Sequence, residues 1–319
     1  MSSVKDFESE LKEAKGKTHG YPRDINFSFE DRGKTLRAEL IGKLDKKDLR
    51  RFDPWTLACV VDAQKSCNAK ISKIVFSLAK GDSVLPPFFL NYEALKRRIS
   101  FLNINNENIL FELYQNENKE KLYDKKSLFN RPETEVIRQN ISERSAENKA
   151  GFLEKAFQAY LNGKDLEIRT NERLAILGED FYQIKGKGFG ILREFATGVF
   201  DKKIGRYARI LPTEFVDIVT LNKFGKLAVI ELKLDNPELE VISQILDYSL
   251  FFACYRKQLI PLLNKELKIK ISQTDDFYCY VVNNHFHPRF NDILKFYNTG
   301  DKKYGFVLKK IVLGETTKI

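Results

Sequence analysis

The chain has 319 residues, with 54 Lys+Arg against 44 Asp+Glu and a formal net charge of +10. A content of 43% hydrophobic and 12% aromatic residues excludes disorder throughout, and the length suits about two domains, each able to bury a core. No window approaches the roughly 18 apolar residues of a membrane span, and the start MSSVKDFESELKEAKGK holds no signal-peptide core, so a cytoplasmic protein with no membrane partner is expected.

In chain order, Val4–Ala14 has the apolar spacing of a short amphipathic helix, and Thr35–Ile41 alternates like a strand. Asp53-Pro54 predicts a helix start, an N-cap acid followed by proline at the first helical position, continued by Trp55–Lys65. Ile71–Leu78 and Ile109–Tyr114 read as strands, with Tyr92–Ile99 helical between them. This mix predicts a smaller N-terminal α+β domain over residues 1–145, a module for substrate recognition or assembly in which no chemistry is visible. Between Gln115 and Asn148 the composition turns polar, which places the boundary near residue 145, with a second domain over 146–319.

In that second half Phe152–Leu161 and Thr170–Leu177 read as helices and Ile191–Phe195 as extended. Glu214–Leu221 and Leu227–Leu234 are strand-like runs flanking the turn residues NKFGK. Asn236-Pro237-Glu238 predicts the start of a helix reaching about Lys257. Phe277–Asn283 and Tyr304–Leu313 are further strands, with Asn291–Phe296 helical between them.

Cysteine and histidine narrow the chemistry. Cys59, Cys67, Cys254 and Cys279 form no CxxC pair and no zinc spacing, so they read as reduced thiols. His285 and His287 have no nearby carboxylate to complete a metal set. Any metal chemistry must therefore run through carboxylates.

The segment EFVDIVTLNKFGKLAVIELKL supplies them. Glu231 and Lys233, two apart, share one strand face, while Ala228, Ile230, Leu232 and Leu234 share the other. A hairpin symmetric about Phe224 sets Asp217 opposite Glu231, with Cβ atoms about 4.5–5.5 Å apart. Carboxylates held that close repel, and a divalent cation between them converts the conflict into a ligand set. Asp217, Glu231 and the backbone carbonyl of Leu232, completed by water, suit Mg²⁺ or Mn²⁺. An exposed Glu/Lys strand face with no function is the competing reading of ELK alone. The acid at the matching register and the following Gln244 and Tyr248, four apart on one helical face, weigh against it.

These residues resemble the PD-(D/E)XK nuclease superfamily: an acid on one strand, Asp217, then thirteen residues, then Glu231-Leu232-Lys233 on the next. Gln244-Ile-Leu-Asp-Tyr248 resembles the QxxxY motif of its RecB-like branch. The order Glu172-Arg-Leu, Arg193-Glu-Phe, Asp217, ELK and QxxxY is similar to the catalytic domain of archaeal and actinobacterial mismatch endonucleases, over roughly residues 150–285. The proline of "PD" is absent, Val216 standing before Asp217, and the insert from Arg193 to Asp217 is long.

The resemblance implies an α/β fold: a C-terminal restriction-endonuclease-like domain with a mixed central sheet flanked by helices. It implies metal binding by Asp217 and Glu231, and a Lys233 that orients or helps deprotonate the attacking water. Glu172 would be the helix acid, with Glu154 and Glu194 as competing choices, and Gln244 and Tyr248 would position the catalytic groups or a phosphate. From Gln183 to Ile210 seven basic residues stand against two acids, with aromatics interleaved. Lys185, Lys187, Arg193, Arg206 and Arg209 are the candidate nucleic-acid contacts, and a solvated loop with core aromatics is the competing reading. The expected activity is metal-dependent phosphodiester hydrolysis, in DNA before RNA, by an enzyme for which a homodimer is compatible. A silent nuclease-fold protein that binds nucleic acid, or an assembly scaffold, are the alternatives at this point.

Overall fold

A computed structural model describes residues 3–17, 20–41, 46–78, 86–138, 152–161, 173–181, 190–297 and 305–314. The chain is mixed α/β and separates into two compact units. The first comprises residues 1–130 with 242–244 and 287–297, and the second 131–241, 245–286 and 298–319. The second unit thus starts earlier than the polar composition suggests, because Glu135–Ile137 pairs with a strand of that unit.

In the first unit, helix α1 (Val4–Ala14) precedes the antiparallel pair β1 (Ile25–Glu30) and β2 (Thr35–Leu40). Ser3 and Asp6 close a capping box at the α1 N-terminus, satisfying two backbone N–H groups that the helix leaves open. Helices α2 (Lys46–Cys67) and α3 (Pro86–Asn105) carry the chain between the parallel strands β2, β3 (Lys73–Leu78) and β4 (Leu110–Gln115). β5 (Asn118–Lys119) closes the sheet order β1-β2-β3-β4-β5, and α4 (Lys125–Phe129) follows.

Asp53 does not begin a helix. α2 starts at Lys46 and Pro54 lies inside it, because Asp53 is buried in an ion pair with Arg98 that an exposed cap would not need. Tyr92–Ile99 likewise extends into the longer α3.

In the second unit α5 (Phe152–Leu161) precedes a five-stranded mixed sheet of order β13-β12-β11-β10-β7. Its strands are β7 (Leu192–Ala196), β10 (Phe215–Leu221), β11 (Leu227–Leu232), β12 (Phe277–Asn283) and β13 (Phe306–Val312). β7, β10 and β11 pair antiparallel in turn, whereas β11, β12 and β13 run parallel. β11 is buried along its whole length, as expected of a strand inside a covered sheet. Phe157 and Leu161 of α5 pack with Ile218, Ala228, Ile230, Leu232 and Val282.

Between β7 and β10 the chain makes β8 (Val199–Asp201) and β9 (Arg209–Leu211), which join β6 (Glu135–Ile137) in a separate antiparallel sheet. Helices α6 (Glu240–Cys254) and α7 (Arg256–Leu267) connect β11 to β12, and α8 (Phe290–Tyr297) belongs to the first unit. The helix expected at Asn236 begins at Glu240 instead. Asn236 Oδ1 accepts the Glu238 N–H and the Asn236 carbonyl is held by Asn283 Nδ2 at 2.9 Å, which fixes a turn there. No described helix is long and apolar enough to cross a membrane.

Candidate active site

The β10–β11 hairpin builds the site outward from its turn. Asn222 Oδ1 accepts the N–H groups of Phe224 at 3.0 Å and Lys226 at 3.1 Å. Gly225 takes φ +68°, a left-handed value that costs little without a Cβ. The register then runs from Leu221↔Leu227 to Ile218↔Ile230, symmetric about Phe224. One step further along come Asp217 and Glu231, and there a side chain takes over from the ladder: Asp217 Oδ2 accepts the Leu232 N–H at 2.7 Å.

Both acids are withdrawn from water, Asp217 to 8% exposure and Glu231 to 1%. Lys233 Nζ lies 2.7 Å from Glu231 Oε1, and Gln158 Nε2 of α5 donates to Asp217 Oδ1 at 2.7 Å. Glu154, one helical turn before Gln158, is buried too, and its carboxylate accepts the Leu234 N–H. Two charges about 5 Å apart at an effective dielectric of about 20 repel by roughly 3 kcal/mol. Lys233, 2.7 Å from Glu231 and largely buried with it, offsets part of that repulsion, and a divalent cation between the two acids would offset the rest.

The protonation equilibria follow. Burial first, and the Glu231 carboxylate second, push the Asp217 carboxyl well above the ordinary range, against the opposing pull of Lys233 and the Leu232 N–H. Burial likewise raises the Glu154 carboxyl, with Lys233 working against it. Burial alone would lower the Lys233 ammonium, but Glu231 and Asp217 outweigh it and raise it, so Lys233 stays cationic.

The remaining expected residues fall into three groups. Tyr248 is buried and its hydroxyl donates to the Phe215 carbonyl at 3.0 Å, bracing the strand two residues before Asp217; Gln244 is half-buried on the same helix. Arg193 is half-buried on β7 opposite Ile218, and Glu194 follows it at φ +48°, a left-handed value within a strand. Arg206 is exposed between β8 and β9, whereas the Arg209 guanidinium lies 5.8 Å from the Phe200 ring centroid. Glu172, Lys185 and Lys187 lie outside the described residues.

Glu154, one of the competing helix acids, interacts electrostatically with Asp217, Glu231 and Lys233. Gln158 was not expected. Its signal is the polar pair Glu154 and Gln158, four apart in the otherwise apolar FLEKAFQAYL.

Among the described residues no three His, Cys, Asp or Glu side chains form a cage for a cation. The donor set fits Mg²⁺ all the same, because that ion is commonly held by one or two carboxylates with water and substrate phosphate. The Leu232 N–H points at Asp217, and a strand residue's carbonyl projects to the same edge as its N–H, which puts a third oxygen on that side. In the first unit, by contrast, no acid faces an acid across β1 and β2. No protein-family model matches the chain, and no curated protein matches it.

Proposed function

We propose that the chain is a metal-dependent nuclease that hydrolyses phosphodiester bonds in DNA, with a PD-(D/E)XK, restriction-endonuclease-like core in its second unit. The observation that carries this reading is the convergence of the buried Asp217 and Glu231 with Lys233, 2.7 Å from Glu231. Two repelling carboxylates at the end of a hairpin serve stability poorly and serve a divalent cation well.

Asp217, Glu231 and the Leu232 carbonyl would hold Mg²⁺ or Mn²⁺, which when bound supplies Lewis acidity and a water acidic enough to ionise near neutral pH. Gln158 and the Leu232 N–H fix the Asp217 carboxylate in one orientation, so its remaining lone pairs need no reorganisation. Lys233, kept cationic by its neighbours, orients the attacking water and offsets charge on the phosphate rather than removing a proton. Glu154, whose carboxyl is raised, is suited to take that proton.

The test is cleavage of double-stranded, single-stranded and branched DNA with Mg²⁺ or Mn²⁺, beside Asp217→Ala and Lys233→Ala. Metal-dependent cleavage by the wild-type chain alone is expected. Wild type and both variants behaving identically on every substrate would overturn the assignment.

A further inference from the structure

The segment inserted between β7 and β10 forms a braced arm. Its base is closed by the Thr197 N–H bonded to the Glu214 carbonyl at 2.9 Å, three residues before Asp217. Gly198 sits so tightly there that a Cβ would lie 2.5 Å from Thr213 Oγ1. β8 pairs with β9 on one side and with β6 on the other, and the Lys202 N–H adds a bond to the Thr134 carbonyl at 2.6 Å. β6 is itself fastened to α7, since Gln258 Nε2 donates to the Glu135 carbonyl at 2.7 Å and Gln258 Oε1 accepts the Ile137 N–H at 3.1 Å.

What this scaffold holds up is unusual for a soluble surface. Tyr207 is 97% exposed and Ile204 52%, with Lys202, Lys203 and Arg206 exposed around them. The Arg206 guanidinium lies 5.9 Å from the Tyr207 ring centroid. From Lys202 to Thr213 the chain contains no acid. Among the described residues no carboxylate pairs with Lys202, Lys203 or Arg206.

A fully solvated aromatic buries no surface in folding, and three exposed cations against the single neighbouring acid Asp201 complement a polyanion. An aromatic face flanked by cations is the chemistry that stacks an unpaired base and holds its phosphates, because every base offers a π-face. Paired bases in a continuous duplex present only their edges.

We infer that the β8–β9 arm is a stacking site for single-stranded nucleic acid, with Tyr207 against a base and Lys202, Lys203 and Arg206 on the backbone. This rests on the nuclease reading of the same unit and deepens it: the substrate carries an unpaired strand beside the cut. At about 3.3 Å per residue the ten residues from Asp217 to Tyr207 reach at most about 33 Å, so the stacked base lies within roughly ten nucleotides of the scissile phosphate.

The experiment is binding by the full chain in EDTA, read as fluorescence anisotropy with a labelled single-stranded DNA, the RNA of the same sequence and a blunt duplex. Tyr207→Ala should weaken single-strand binding by about 5- to 100-fold, and Tyr207→Phe should restore it to within about twofold. Blunt-duplex binding should change less than about twofold. Tyr207-dependent binding of the DNA strand or of the RNA strand supports the site and says which sugar it takes. Equal loss on strand and duplex, no loss with Tyr207→Ala, or no single-strand binding by wild type overturns it. The readout needs no cleavage, so metal-dependent cutting without an effect of Tyr207 sinks only the arm, and an inert wild type with Tyr207-dependent binding sinks only the nuclease.

Discussion

Gln158 Nε2 donates to Asp217 Oδ1 at 2.7 Å, and both side chains are buried. An uncharged donor on a carboxylate fixes its orientation without neutralising it, as outer-shell partners of metal ligands do. Gln158→Ala should therefore lower kcat for phosphodiester cleavage by about 10- to 100-fold while KM for DNA moves less than about threefold. A loss confined to KM would show that Gln158 serves substrate binding instead.

The helix acid is decided by a paired comparison. Glu154 sits within the electrostatic field of Asp217, Glu231 and Lys233, so Glu154→Gln should slow single-turnover cleavage by about 100-fold or more. Glu172→Gln, under the same conditions, should fall less than about threefold. The reverse ranking would return the role to Glu172 and leave Glu154 a buried structural acid.

The central hairpin was legible because its own chemistry sets its register. Asn222 and Gly225 make the turn, and every pair from Leu221↔Leu227 to Ile218↔Ile230 follows from it. β12 was legible for a related reason: an apolar run bounded by polar residues matches a strand covered on both sides. Where partners lie far away along the chain, local pattern says little. The insert after β7 reads as a basic loop, yet it is an arm because β8 pairs with Glu135–Ile137, about sixty residues earlier. Asp53 reads as an N-cap, and only Arg98 on another helix reveals it as a buried ion-pair partner. Gln158 has the same origin, since its partner Asp217 stands on another element.

That ion pair gives the first unit a sharp stability test. Arg98 Nη2 lies 3.0 Å from Asp53 Oδ1 and 2.8 Å from the Leu49 carbonyl, and Tyr297 Oη donates to Asp53 Oδ2 at 2.8 Å. Arg98→Ala leaves Asp53 a buried, uncompensated charge and should cost about 3–5 kcal/mol in urea unfolding. Replacing both partners, Asp53→Leu with Arg98→Met, should recover at least half of that loss. A double variant as unstable as the single one would mean that packing around Arg98, rather than the stranded charge, sets the penalty.

Asp217 supplies a pH signature with a definite sign. Burial and then Glu231 raise its folded-state carboxyl above the ordinary 3.8, so the folded chain keeps that proton to higher pH than the unfolded chain. Within that window the folded state binds more protons, and the contribution of Asp217 to stability falls as pH rises above about 4. Asp217→Asn cannot ionise and lacks this fall. Its Tm minus that of wild type, measured in EDTA, should therefore increase from pH 4 to pH 8 by at least about 2–4 °C, equivalent to about 1 kcal/mol for a unit of this size. Adding Mg²⁺ should raise the wild-type Tm at pH 8 and leave Asp217→Asn unmoved, because a ligand stabilises only the state that binds it. Parallel pH curves for the two proteins in EDTA would show that Asp217 carries its charge in the folded chain without cost. That result would remove the reason for a cation between Asp217 and Glu231.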